Sequence, residues 1–202
     1  MSGADAVRAG MAPAAQARNF FAEIMEWNVI ATVREGPGHE RALLRGLRRF
    51  GEFHPTEFKY VCTGRVDAPN FLETVRQALA ADEEWTRYLA RLIPVERTFH
   101  FDAQGFVERL KQAVAPFAER MGAGCFYVRI ERRGMLGQVH SQEAEREVAD
   151  YLVGLLQSRD QQLRTDFHDP DWIVACETLG AEAGVALLDR ETRRRYDFVQ
   201  AR

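Results

Sequence analysis

Arginine carries nearly all of the positive charge in this sequence. Of its 27 basic residues, only Lys59 and Lys111 are lysine. A guanidinium is a rigid fork that meets phosphate oxygens two at a time, so the places where arginines gather are the first candidates for chemistry. A coding bias toward Arg and Ala accounts for the overall count equally well. Arg132-Arg133 closes a strand-like run that also holds Arg129, and it opens the loop Gly134–Val139, which ends at His140. Cationic groups at a strand end beside glycines reach phosphate without steric obstruction, although the same residues also suit a solvated loop. Arg41, Arg45, Arg48 and Arg49 recur at helical spacing. Such a stripe can track a phosphate backbone, and it is equally the solvent side of an amphipathic helix. Arg164 is a lesser candidate, and Arg193-Arg194-Arg195 is blunted by Asp189, Glu191 and Asp197.

Other chemistry is thinly represented. His168-Asp169-Pro170-Asp171 sets a histidine and two carboxylates close enough to read as hard metal ligands, but Pro and Asp are also ordinary turn formers. A small metal-dependent enzyme centred on His168, Asp169 and Asp171 is therefore kept as an alternative; the preferred reading places no metal and no cofactor. Gly36-Pro37-Gly38 lacks the spacing and the lysine of a phosphate-binding loop and reads as a plain turn. The five histidines form no HExxH pattern, and no Gly-x-Ser-x-Gly elbow occurs. Cys62, Cys125 and Cys176 are far apart and unpaired by any CxxC, as expected of structural thiols in a reducing compartment. No catalytic nucleophile is nominated.

The elements that must position these residues follow from hydrophobic patterning. With 46% hydrophobic and 28% charged residues in 202, the chain is globular in composition, and its formal charge of −3 excludes a uniformly basic nucleic-acid binder. No apolar stretch is long enough to span a membrane, and Met1–Ala17 lacks the features of a secretory signal, so a cytoplasmic location is expected. After a leader over 1–26, Trp27–Val33 reads as a strand and His39–Phe50 as a helix burying Leu43, Leu44, Leu47 and Phe50. Phe58–Val66 reads as a strand, Pro69 opens a helix, and Leu92–Phe101 reads as one further strand. This is a ferredoxin-like alternation one strand short. A second unit over 102–202 begins with a helix split near Pro116. The alternating strand Phe126–Glu131 and a helix capped by Ser141, with apolar face Ala144, Val148, Tyr151, Leu152, Leu155 and Leu156, follow. A hairpin turning at Gly180 completes it.

The second unit resembles a THUMP domain, the RNA-binding module of several tRNA-modification proteins. The resemblance is carried by Phe126-Tyr127-Val128-Arg129-Ile130-Glu131-Arg132-Arg133, by the Ser141-led helix, and by Asp166-Phe167-His168-Asp169-Pro170-Asp171 leading into a strand. It covers 103–200, and the first unit is similar to the ferredoxin-like domain that commonly precedes THUMP. The resemblance implies an α/β fold of ferredoxin-like domain 27–101 followed by THUMP domain 102–202. It implies tRNA as partner, gripped at its acceptor stem and 3′ end, with Arg132, Arg133, His140, Arg129 and Arg164 as RNA contacts supported by Arg41, Arg45, Arg48 and Arg49. It also turns the segment at His168 into the turn before a strand, and it makes stacking of a single-stranded base on Tyr127 conceivable. No methyltransferase half, pyrophosphatase loop or deaminase zinc motif follows the second unit. The expectation is a non-catalytic adaptor that presents tRNA to a separate modification enzyme such as a cytidine acetyltransferase, with no membrane or DNA partner. A protein-interaction module without RNA binding is the remaining alternative.

Overall fold

The computed structural model describes residues 26–159, 161 and 163–201. Apart from Glu26, the leader expected over 1–26 lies outside the described residues. The first unit runs β1 (Val29–Val33), α1 (His39–Leu47), β2 (Glu52–Pro55), β3 (Val61–Arg65), α2 (Phe71–Ala80), a 3-10 turn (Glu84–Tyr88) and β4 (Leu89–Pro94). Its strands pair β2-β3-β1-β4, all antiparallel. This is the βαββαβ order of a ferredoxin-like sandwich. The missing strand is β2, which carries a single buried residue, Phe53, between Gly51 and Pro55 and so shows no usable alternation.

The second unit runs β5 (Arg97–His100), α3 (Phe106–Val114), a 3-10 turn (Ala115–Glu119), β6 (Gly124–Glu131), α4 (Ser141–Gln157), β7 (Leu163–Thr165), β8 (Trp172–Leu179), β9 (Glu182–Asp189) and α5 (Arg190–Arg195). Its sheet is ordered β5-β9-β8-β6-β7, with β6 parallel to both β7 and β8. Helix, strand, helix, strand and hairpin thus follow in the order expected of THUMP, and the whole is a mixed α/β fold. Pro116 ends α3 in favour of the 3-10 turn, as its missing N–H requires. The run Leu92–Phe101 is two strands rather than one. The chain changes sheets between Pro94 and Arg97, and β5 becomes an edge of the second sheet, paired with β9. The Pro94 ring cannot donate to a continuing ladder.

The continuous apolar run Ile173-Val174-Ala175-Cys176 in β8 reflects a strand covered on both faces. Val174 and Cys176 join Val128, Ile130, Leu110, Val148 and Leu152 in a core beneath α3 and α4. Ile173 and Ala175 join Ile30, Leu43, Leu47, Phe71, Leu92 and the C-terminal Phe198 and Val199 in the core of the first unit. The Leu92 amide donates to the Phe198 carbonyl at 2.9 Å, so the tail returns to the first unit. By the same alternation Glu177 points from β8 toward the first unit. Cys62, Cys125 and Cys176 are free and buried, and burial pushes the Cys62 thiol up to about 12.

Candidate nucleic-acid interface

β6 and α4 bring Arg132 and His140 together. The loop between them is pinned to the β8–β9 hairpin: the Arg133 amide donates to Thr178 Oγ1 at 2.9 Å and the Gly180 amide to the Arg133 carbonyl at 2.9 Å. Gly134 has φ +84°, and a Cβ there would lie 2.9 Å from Gly180 Cα, so the close approach of the two turns requires glycine. Arg132 donates to the Gly134 carbonyl at 2.7 Å and makes no ion pair among the described residues. With His140, Ser141, Gln142 and Glu143 it lines a cleft of about 330 Å³. The N-cap of α4 is His140 rather than Ser141, and it makes no side-chain capping bond. The first turn of this 17-residue helix lines the cleft; the helix's positive end favours an anion there, and Glu143 in the same turn opposes one.

Arg133, the neighbour in sequence, is spent inside the protein. Its guanidinium meets Glu177 Oε2 at 2.6 Å, and Arg91 of β4 meets Glu177 Oε1 at 3.1 Å. Arg91 also donates to Thr32 Oγ1 at 3.2 Å and to the Gln200 carbonyl at 3.3 Å. Burial pushes the Glu177 carboxyl above its ordinary range, while Arg91 and Arg133 pull it back. Glu131 stands opposite Glu177 across the β6–β8 ladder, and Arg91 lies 3.9 Å from it, offsetting two like charges. As placed, Arg133 braces Glu177 within the second unit rather than facing the surface, and Arg91 carries the tie to the first unit. Nothing in the local sequence marks this, because the pair Arg91 and Glu177 is 86 residues apart.

The remaining predicted residues are spread over the surface. Arg129 is 3.7 Å from Glu145, which also accepts the Ile130 amide at 2.8 Å. Arg164 is exposed on β7. Arg41, Arg45, Arg48 and Arg49 are all exposed, but α1 ends at Leu47 rather than at Phe50, so Arg48 and Arg49 lie in the turn that follows it; Arg41, Arg45 and Arg48 line a separate cleft of about 520 Å³. Arg49 pairs with Glu83 at 2.7 Å, and Arg48 donates to the Phe53 carbonyl at 3.1 Å.

The carboxylates of the metal alternative are occupied by arginines. Asp169 pairs with Arg190 and Arg194, each at 3.2 Å, and Asp171 pairs with Arg190 at 2.8 Å. Asp171 also accepts the Cys125 amide at 2.8 Å, and that bond holds its carboxyl below the usual carboxylate range. Gly124, at φ +140°, leaves room for it: a Cβ there would stand 2.2 Å from Asp171 Oδ2. No cluster of three metal-ligating side chains occurs among the described residues. The segment is a turn, as the resemblance implies. Two residues outside the expected set of contacts stand beside it. Phe167 is 72% exposed and Arg193 is half-buried, and both line a cleft with Tyr127. An apolar ring beside four turn formers, Asp166, Asp169, Pro170 and Asp171, was the available signal.

No protein-family model matches the sequence, and no curated protein matches it. Solved structures match in shape. PH1313 from Pyrococcus horikoshii Ot3 matches with a TM-score of 0.54, at 13% identity, over 80% of this chain and 54% of its own. A 4-thiouridine synthetase solved in complex with RNA and bound ATP matches with 0.53, at 14% identity, over 81% of this chain and 41% of its own. TrmN from Thermus thermophilus matches with 0.56, at 20% identity, over 82% and 47%. What is shared is the fold. This chain spans about half the length of these solved chains. Among the described residues, no helix is long and apolar enough to cross a membrane.

Proposed function

We propose that this chain is a non-catalytic, cytoplasmic RNA-binding protein of THUMP type, which holds tRNA by its acceptor arm and presents it to a separate modification enzyme such as a cytidine acetyltransferase. The observation that carries the reading is the cleft where Arg132, His140 and the uncapped start of α4 converge. Guanidinium, imidazole and oriented backbone amides are complementary to a phosphate group. The fold shared with an RNA-bound 4-thiouridine synthetase and with TrmN supports the choice of ligand. Arg41 and Arg45 make no ion pair among the described residues and extend the cationic surface onto the first unit. Recognition of this kind rests on backbone charge and shape rather than base sequence.

The acceptor-arm assignment is tested by binding purified protein to tRNA that is intact or trimmed of its 3′ end. Weaker binding of the trimmed form is expected. Equal binding of both forms would remove the acceptor end from the account.

A further inference from the structure

Strand β6 ends at Glu131, so the loop that carries Arg132 has no ladder to hold it. Its backbone is unusual: Gly134, Met135 and Gly137 have φ of +84°, +49° and +73°. Glycines also give such a segment many alternatives in a free chain. At its far end Val139 is buried in the core beneath α3 and α4. At its near end both backbone groups of Arg133 are held by one side chain of β8, 45 residues away. The Thr178 hydroxyl accepts the Arg133 amide at 2.9 Å and donates to the Arg133 carbonyl at 3.2 Å. A hydroxyl does both at once; a methyl group does neither. The Gly180 amide adds a second donor to the same carbonyl at 2.9 Å.

The consequence runs to the cleft. The Gly134 carbonyl accepts a bond from Arg132 Nη1 at 2.7 Å, and this bond aims the guanidinium. Arg133 is the residue between them, so its backbone sets how that carbonyl faces. Thr178 is 1% exposed, and a buried hydroxyl needs a partner, but any nearby carbonyl would serve that need. Here the hydroxyl takes both groups of the residue on which the direction of Arg132 depends. A cation held in place before its ligand arrives binds without the cost of ordering the loop around it.

We propose that Thr178 is a positioning residue of the cationic cleft. Its hydroxyl fixes the Arg133 backbone, and through it the Gly134 carbonyl, in the orientation that presents Arg132 to a phosphate group. Thr178 itself touches no ligand. The proposal rests on the RNA-binding reading above and adds to it the group that keeps the cleft ready to bind.

The test is a double-mutant cycle on total tRNA, read by fluorescence anisotropy over a salt series. Thr178→Val keeps the shape and deletes the hydroxyl; it is expected to bind about tenfold more weakly, with a salt slope shallower by about 1, as Arg132→Ala does. Thr178→Ser keeps the hydroxyl and is expected to bind as the wild type does. Added to Arg132→Ala, Thr178→Val is expected to cost nothing further, because the residue it positions is already gone. Gly134→Ala, which sets a Cβ 2.9 Å from Gly180 Cα at the surface, is expected to show the same non-additivity, and it decides the matter if Thr178→Val does not fold. A Thr178→Val protein with wild-type affinity and slope, a full further loss in the Arg132→Ala background, or a serine variant as weak as the valine one overturns the positioning role and leaves the RNA-binding reading standing. A wild type that binds no tRNA at low salt overturns both.

Discussion

Replacing Glu177 by alanine removes one carboxylate and strands two cations. The Arg91, Arg133 and Glu177 side chains are 9%, 13% and 2% exposed. Water therefore cannot take over from the lost anion. Breaking a buried pair by deleting one partner costs about 3–5 kcal/mol, because the remaining charge is left uncompensated. Chains of this size shift by roughly 2–4 °C for each kcal/mol, so Glu177→Ala is expected to lower the midpoint by about 6–20 °C. Urea and thermal unfolding followed by circular dichroism would read this. A surface control, Arg87→Ala, breaks the exposed Asp82 pair and is expected to cost no more than about 1 kcal/mol. Replacing all three triad members together by Met, Leu and Met should recover most of the loss, since an apolar cluster has no charge to strand. A Glu177→Ala protein less than about 1 kcal/mol below the wild type would refute the assignment of this triad as the tie between the units.

Three further outcomes follow from the same structure. Gly124→Ala forces a non-glycine residue to φ +140° and drives its Cβ to 2.2 Å from Asp171 Oδ2, so a loss exceeding about 1 kcal/mol in chemical denaturation is expected. Glu73 is held at about 2 by hydrogen bonds from Arg76, its neighbour on α2, and from Arg195, which docks α5 onto α2. The folded value lies below the unfolded one of about 4.3, so the contact is fully present above that pH and is lost as pH falls toward about 2; an NMR titration of the Glu73 carboxyl with the Tyr196 ring as reporter checks this. Cys62 and Cys176, both buried with thiols raised by burial, should resist thiol reagents in the native protein and react on unfolding.

Local pattern was a sound guide wherever one face of an element meets one core. The α4 residues Ala144, Val148, Leu152 and Leu156 recur at helical spacing, and all are buried. The Pro116 break and the Gly180 hairpin follow from residue chemistry alone. Pattern failed where tertiary partners decide. Leu92–Phe101 reads as one extended run, and only its pairing partners, β1 on one side and β9 on the other, reveal two strands in two sheets. Strand β2 is held by backbone pairing to β3 with one buried side chain to signal it. Arg132 and Arg133 read alike in sequence, yet just past the end of β6 one lines a surface cleft and the other meets Glu177. The Asp169 and Asp171 pair looked like ligands because Arg190 and Arg194, their partners, lie about twenty residues downstream across β8 and β9.

The central claim is that a built cationic cleft on this fold binds RNA. Its most direct test is titration of purified protein with total tRNA over a salt series, for the wild type and Arg132→Ala. The predicted result is a linear fall of log affinity with log salt, with a slope shallower by about 1 in the variant, as expected when one phosphate contact is lost. Absence of tRNA binding at low salt, or an Arg132→Ala protein with the wild-type slope and affinity, would contradict it.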